Sequence, residues 1–134
     1  MKVLASALAL AVMAVSQSAA AHHSFDGSFS RASLGMMSGT VTEFQLTDPH
    51  AYLKLRVRGA DGREVLWHVE TTSAKSLESH GWTRDSIEPG DQLVVAGYLA
   101  KDGHPYLKME WVRRADGRSL ALWLPGPVSP LTGG

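Results

Sequence analysis

The sequence predicts an all-β domain with one short helix, arranged as an OB-like five-stranded Greek-key barrel. Apolar and polar residues alternate in the segment 51–58, as is typical of a half-buried strand. Asp-Gly pairs, which favour tight hairpin turns, occur at 61–62, 102–103 and 116–117. A single helical stretch falls between the third and fourth predicted strands, which agrees with this barrel. A small β-sandwich is the alternative, because strand spacing alone does not fix barrel closure.

The first three predicted strands differ in regularity. In the first, MSGTVTEFQL, the apolar phase slips between Val41 and Phe44, which predicts a β-bulge. The second strand, Ala51–Arg58, places its odd-numbered residues on the apolar face. The third, EVLWHVE at 64–70, follows the first Asp-Gly turn and completes a hairpin with the second.

A short helix interrupts the strands in the segment TTSAKSLESHGW. Thr72 or Ser73 is the predicted N-cap, and Gly81 is the residue expected just beyond the helix end. Pro89-Gly90 then predicts a type II turn. This turn leads directly into the fourth strand.

The fourth and fifth strands, 91–100 and 106–114, are separated by the second Asp-Gly turn. The fourth is apolar on both faces, as expected of a strand that is covered on both sides. Taken together, the alternating patterns predict a core of Val41, Leu53, Leu55, Val57, Val65, Trp67, Val69, Leu77, Leu93, Val95, Leu99, Leu107, Met109 and Trp111.

Residues 1–21 have the pattern of a cleavable secretory signal peptide. Lys2 precedes an uncharged apolar run, Val3–Val15, and small residues follow up to Ala21. The apolar run is shorter than the ~20 residues that span a bilayer. We therefore expect an exported protein without a membrane span after cleavage, whose mature chain begins at His22, or one residue earlier if cleavage follows Ala20.

Composition divides the remaining chain and excludes several function classes. Residues 22–34 predict an N-terminal arm, 35–123 the barrel domain and 124–134 a proline- and glycine-rich tail. The chain has 13 basic and 13 acidic residues, so phosphates are not attracted and we expect no nucleic acid partner. Cysteine is absent, which excludes disulfides and thiolate chemistry. Hydrolase, phosphate-loop and dinucleotide motifs are missing as well, and we expect no enzymatic activity.

Several short motifs occur in an order that is specific as a set. They are HHSF at 22–25, GTV at 39–41, DPHAYL at 48–53, WHVE at 67–70, HGW at 80–82 and PGDQLVVAGY at 89–98. The chain resembles the secreted bacterial domain-of-unknown-function family 6152 over nearly all of its mature length. The resemblance implies a Gram-negative periplasmic protein with an OB-like barrel, and it implies no activity. The family usually has asparagine where this chain has Asp48.

Three histidines form the predicted metal site, with copper(II) as the candidate cofactor. An amino-terminal His22 offers its amine and its ring nitrogen, and His23 and His50 add further imidazoles, which together suit the planar nitrogen geometry of copper(II). If Ala21 is terminal instead, His23 becomes the third residue and completes a square-planar set with backbone nitrogens. Asp48 and Glu70 are candidates for orienting a ring nitrogen of a ligand.

The predicted function is a periplasmic OB-like binding module whose ligand is a small molecule, a metal ion or an envelope protein. A dedicated copper-binding protein that uses the mature amino terminus is the first alternative. A structural accessory of an envelope complex is the second. The His-x-Glu pair His68 and Glu70 shares one face of the third strand and is interpreted mainly as a solvated surface. Glu70 is favoured as the functional member of the pair because the family pattern includes it.

Overall fold

The computed structural model describes residues 27–118 and Leu120. The elements are β1 (Phe29–Gln45), β2 (Tyr52–Arg58), β3 (Glu64–Glu70), α1 (Ala74–Ser79), β4 (Gln92–Ala100) and β5 (Tyr106–Arg114). The predicted signal peptide, His22, His23 and the predicted tail lie outside the described residues. Within the described part, no helix has the length and apolar character that crossing a membrane requires.

The strands close into a barrel in the order β1-β2-β3-β5-β4. All neighbours are antiparallel except β3 and β5, which run parallel over a short stretch. β1 closes the barrel because its first part pairs with β4 and its last part, from Thr40 onwards, pairs with β2. This is the strand order of an OB barrel, so the barrel prediction is confirmed and the sandwich alternative is excluded.

Local sequence signals define the bends and turns of this barrel. The register of β1 on β2 shifts between Val41 and Glu43, which confirms the predicted bulge and lets the long strand bend between its two neighbours. Gly62 has a φ of 80°, a conformation in which a Cβ would be strained, at the tip of the β2–β3 hairpin. α1 begins after Ser73, whose hydroxyl accepts a hydrogen bond from the Ser76 amide at 3.2 Å.

The barrel interior follows the predicted alternation, with additions. The buried core consists of Val41, Ala51, Leu53, Leu55, Val69, Leu77, Trp82, Ile87, Leu93, Val95, Leu107, Met109, Val112 and Leu120. Val57, Trp67 and Leu99 are partly buried against it.

Two core predictions are wrong. Val65 is 42% exposed, because it lies on the part of β3 that extends beyond the β5 neighbour. Trp111 lies on the outer face of β5 rather than in the core. The register between β4 and β5 shifts between Ala96 and Gly97, and this irregularity turns Val112 inward in its place.

The boundary predicted between the arm and the barrel also differs from the structure. β1 begins at Phe29 rather than near residue 35, so the second half of the predicted arm is part of the barrel. Phe29 is 4% exposed, and its ring lies 5.0 Å from that of Tyr106. Burial of this aromatic ring accounts for the longer strand.

Candidate functional site

A row of three rings crosses the outer face of β2, β3 and β5. Tyr52, His68 and Tyr106 belong to it, and we call it the aromatic row. His68 is paired with Tyr106 across the parallel β3–β5 contact, and with Lys54 across the β2–β3 ladder. Since side chains alternate between the two faces of a strand, these registers bring the rings together on the outside of the barrel.

The rings of the aromatic row contact each other directly. Tyr52 and His68 are stacked, with centroids 4.8 Å apart and an interplanar angle of 23°. His68 meets Tyr106 edge to face, with centroids 4.7 Å apart. Both geometries are favourable for aromatic pairs. The three side chains are half-buried, so their outer edges remain available to a ligand.

The Glu70 carboxylate is the centre of a charged cluster at one end of the row. It accepts a hydrogen bond from Lys108 Nζ at 2.8 Å and a short one from the Tyr106 hydroxyl. His50 Nδ1 lies 3.2 Å from the same carboxylate. The Glu70 and Lys108 side chains are only 14% and 19% exposed, whereas that of His50 is 47% exposed. His50 is therefore the most accessible member of this cluster.

The loop between β1 and β2 carries His50, and two backbone hydrogen bonds fix the end of this loop. The amide of Ala51 donates to Thr72 O at 2.8 Å, and the amide of Thr71 donates to Ala51 O at 2.8 Å. The Thr71 hydroxyl adds a third bond to Ala51 O at 3.0 Å. These bonds join the start of β2 to the end of β3, and they bring His50 beside Glu70.

Burial and hydrogen bonding set the protonation states in this cluster. Burial of Glu70 disfavours its charged form, but the hydrogen bonds from Lys108 and Tyr106 outweigh that penalty and lower its pKa. Burial, followed by the hydrogen bond to Glu70, raises the pKa of Tyr106. Burial lowers the pKa of His68. At neutral pH Glu70 is thus ionised and Tyr106 is neutral, and the ring of His68 in the neighbouring aromatic row is neutral as well.

A second ion pair flanks the other end of the aromatic row. Lys54 Nζ lies 2.8 Å from the Glu43 carboxylate, and the Tyr52 hydroxyl donates to the same carboxylate at 3.0 Å. The hydrogen bond from Lys54 lowers the pKa of Glu43, and the hydrogen bond to Glu43 raises the pKa of Tyr52. The row is therefore bounded by a carboxylate and a lysine at each end.

A shallow groove continues the same face towards the β2–β3 hairpin. Its volume is about 390 Å³, and it is lined by Thr42, Arg56, Glu64, Val65 and Leu66. This volume falls within the range of ligand sites in proteins. The aromatic row and the groove together form one outward surface along strands 2 and 3.

The structure brings some of the predicted site residues together and separates others. His50, a predicted ligand, and Glu70, a predicted orienting carboxylate, are in contact. Asp48 is exposed. It is not one of the residues that contact the Glu70 carboxylate, which are His50, Tyr106 and Lys108. His22 and His23 lie outside the described residues, and within residues 27–118 no group of three potential ligands could hold a metal ion.

Sequence reasoning missed the tyrosines and lysines of this face. Tyr106 and Lys108 share one face of β5 by alternation, which is the only signal that the sequence offers for them. Their approach to Glu70 depends on the parallel register of β3 with β5, and local sequence does not encode that register.

Comparisons with known proteins identify a family and similar folds. The model of a family of unknown function, DUF6152, matches residues 9–107. No curated protein matches the chain.

Among solved structures, the mitochondrial single-stranded DNA-binding protein Rim1 of S. cerevisiae shares 12% identity at a TM-score of 0.47, over 62% of this chain and 94% of that one. A small single-stranded DNA-binding protein of Streptomyces coelicolor shares 17% identity at a TM-score of 0.41, over 63% of this chain and 93% of that one. The S. pombe Stn1-Ten1 complex shares 12% identity at a TM-score of 0.46, over 60% of this chain and 57% of that one.

These matches contradict the prediction that excludes a nucleic acid partner, because two of the three similar proteins bind single-stranded DNA by name. The prediction was based on the even charge of the chain. An even charge removes the attraction to phosphates, but stacking of bases on aromatic side chains is a separate source of binding energy. A nucleic acid partner is therefore not excluded.

Proposed function

The chain belongs to the DUF6152 family, and we propose that its barrel is a non-catalytic binding module that takes its ligand on the outer face of strands 2 and 3. The observation that carries this proposal is the aromatic row, half-exposed and bounded at both ends by charged groups. Strands 2 and 3, with the loop between strands 1 and 2, form the surface on which OB barrels hold extended ligands.

The chemistry of this face fits a polar ring, either a sugar or a heterocyclic base. The ring edges of Tyr52 and Tyr106 offer apolar contact area with little conformational entropy to lose. The lysines and carboxylates at the ends of the row supply hydrogen-bond donors and acceptors for the substituents of such a ring. The groove beside Leu66 provides room for a second unit of the ligand.

Calorimetric titration with two probes, chitotetraose and octathymidine, tests this proposal. We expect one of them to bind, and we expect Tyr106→Leu to weaken that binding about tenfold or more through the lost ring contact. Trp111→Leu is the matched control, because it removes a partly exposed ring of the same strand beyond the stretch of β5 that pairs with β3, away from the aromatic row. Failure of both probes to bind would overturn the proposal, as would an equal loss in the two variants.

A second candidate function is copper(II) binding, and the contact between His50 and Glu70 favours it. A carboxylate beside one ring nitrogen is the usual partner of a metal-ligating histidine, because it fixes the ring and leaves the other nitrogen for the metal. His22 and His23, with the amine that signal cleavage exposes, would supply the remaining nitrogens. In the uncleaved chain that amine is part of a peptide bond and is not a donor.

Copper titration followed by electron paramagnetic resonance tests this second candidate. The processed chain is compared with a chain that carries extra residues ahead of His22, with His50→Ala, and with His104→Ala as the matched control. We expect binding with a nitrogen-ligand spectrum that is weakened in the first two variants only. Binding should also weaken below about pH 6, because protons compete for the imidazoles. Equal affinity in all four chains would contradict this candidate.

The proposal includes export to the periplasm, which the pattern of residues 1–21 supports. Mass spectrometry of the protein from the periplasmic fraction measures the amino terminus. A terminus at Ala21 or His22 is the expected result. A role as a structural accessory of an envelope complex calls for an exposed apolar surface, and among the described residues Leu34 and Met36 form one on β1.

A further inference from the structure

One edge of β1 pairs with a single neighbour. The segment Leu34–Gly39, which we call the β1 edge, is hydrogen-bonded to β4. Pairing of β1 with β2 begins only at Thr40. Among the described strands, therefore, none occupies the second side of this segment.

The backbone polar groups on the unoccupied side can be identified. The amide of Val41 donates to Asp91 O at 2.9 Å, and Val41 O accepts from the Gly90 amide at 2.8 Å, so Val41 faces β4. Successive residues of a strand direct these groups to opposite sides. The even-numbered residues Leu34, Met36 and Ser38 consequently direct their N–H and C=O groups away from β4, and these groups form a template for another strand.

The side chains of the β1 edge make it apolar and uncharged. Met36 is 61% exposed and Leu34 is 53% exposed, the two highest values among the exposed large hydrophobic residues in the described part. No charged residue occurs between Arg31 and Glu43. Natural edge strands are normally protected by charges, prolines or short length. The β1 edge has none of these protections.

We propose that the β1 edge binds the same edge of a second copy of the chain. The two β1 strands run antiparallel about a twofold axis at Gly35, so residues 37–39 of one copy lie opposite residues 31–33 of the other. Their even-numbered residues exchange backbone hydrogen bonds. Leu34 of each copy then lies opposite Met36 of the second copy, and four exposed apolar side chains form one cluster on the outer face. The segment suits its own copy because it carries no charge that would be repelled at the axis.

The interface is small, which sets the expected affinity. With the axis at Gly35, residues 31–39 of the two copies lie along each other, which buries less than the area of a standard protein interface. We therefore expect a dimer in rapid exchange with a dissociation constant of the order of micromolar. The aromatic row takes no part in this contact. The dimer is thus independent of the proposed ligand face, and each can fail without the other.

Sedimentation velocity over about 1–500 µM measures the association, a range that brackets this constant. The chain is compared with Met36→Lys, which places a charge on the β1 edge, and with Leu66→Lys, which changes an equally apolar residue that is 50% exposed on β3. We expect Met36→Lys to weaken dimerisation at least tenfold, and Leu66→Lys to leave it unchanged. A monomer at every concentration would overturn the proposal, and so would an equal effect of the two variants.

Disulfide trapping tests the register. Because the chain has no cysteine, single-cysteine variants give unambiguous products. Directly opposed residues of antiparallel strands lie about 5.5 Å apart at Cα, which a disulfide spans. A mixture of Leu34→Cys and Met36→Cys should therefore cross-link into a heterodimer faster than either variant cross-links with itself. Faster self-cross-linking of either variant would contradict the register with its axis at Gly35.

Discussion

The aromatic row and the β1 edge are both outward surfaces of one barrel, but they differ in the polar groups that they carry. Around the aromatic row, side chains supply the hydrogen-bond and ion-pair partners of the polar groups. The Glu70 carboxylate, for example, contacts the side chains of His50, Tyr106 and Lys108. Along the β1 edge the available groups are backbone N–H and C=O, flanked by the apolar Leu34 and Met36. A surface of the first kind suits a polar ligand, and a surface of the second kind suits another strand.

The largest expected effect lies in the core that supports both surfaces. Leu55→Ala should lower the free energy of unfolding by about 2–5 kcal/mol, because Leu55 is fully buried and its truncation leaves a cavity. Leu66→Ala is the control on the exposed side of the neighbouring strand, with an expected change within about 0.5 kcal/mol. Urea denaturation measures both. Similar midpoints for the two variants would show that the barrel interior is assigned wrongly.

The second largest expected loss of stability distinguishes the cluster that His50, Tyr106 and Lys108 form around Glu70, here called the Glu70 cluster, from an ordinary surface ion pair. Lys108→Met leaves the Glu70 carboxylate with fewer partners at low exposure, and we expect a loss of about 1–3 kcal/mol in stability. Arg58→Met removes one member of an exposed pair with Glu64 and should cost less than about 0.5 kcal/mol. Equal losses, measured by denaturation, would indicate that the Glu70 cluster is no more than a solvated surface.

The pH dependence of stability refines this distinction. The folded-state pKa of Glu70 lies below its ordinary value, so its carboxylate stabilises the fold above about pH 4.3, the unfolded value. That contribution is lost as the pH falls through the lower folded value. The difference in melting temperature between the unmodified chain and Glu70→Gln should therefore be constant near pH 7 and shrink below about pH 4. A difference that grows on acidification would contradict the lowered pKa.

The lowered pKa of His68 predicts a smaller change in stability, at higher pH than that of Glu70. Its pKa is lowered by burial, so its neutral ring stabilises the fold above about pH 6.5, the unfolded value, and this contribution is lost as the pH falls. We expect the His68→Phe variant to lose less stability than the unmodified chain between about pH 7 and pH 5. An NMR titration of the His68 ring should give a midpoint below 6.5, and a midpoint above that value would be inconsistent with burial in the aromatic row.

Most of the fold could be predicted from the sequence because its signals are local. Alternation identified β2, Asp-Gly pairs identified the hairpins, and the slip after Val41 identified the bulge. Trp111 was assigned to the wrong side because the irregularity between β4 and β5 has no comparable local signal.

The candidate site was predicted only in part, because it depends on contacts between distant segments. His50 was singled out for its chemistry, yet its position beside Glu70 follows from hydrogen bonds between Ala51 and the residues after β3. The aromatic row likewise requires the registers of three strands at once. Local patterns determine which face a side chain occupies, and they do not determine its neighbours across the sheet.

We expect strands 2 and 3 to carry the ligand, and an NMR chemical-shift map of the complex locates the ligand residue by residue. The isotope-labelled protein is titrated with whichever of chitotetraose and octathymidine binds. We expect the amide signals of Tyr52, His68 and Tyr106 to move most and to saturate together, while those of Leu34, Met36 and Trp111 stay in place. A map centred on the β1 edge or on Trp111, with an unperturbed aromatic row, would contradict this placement of the ligand.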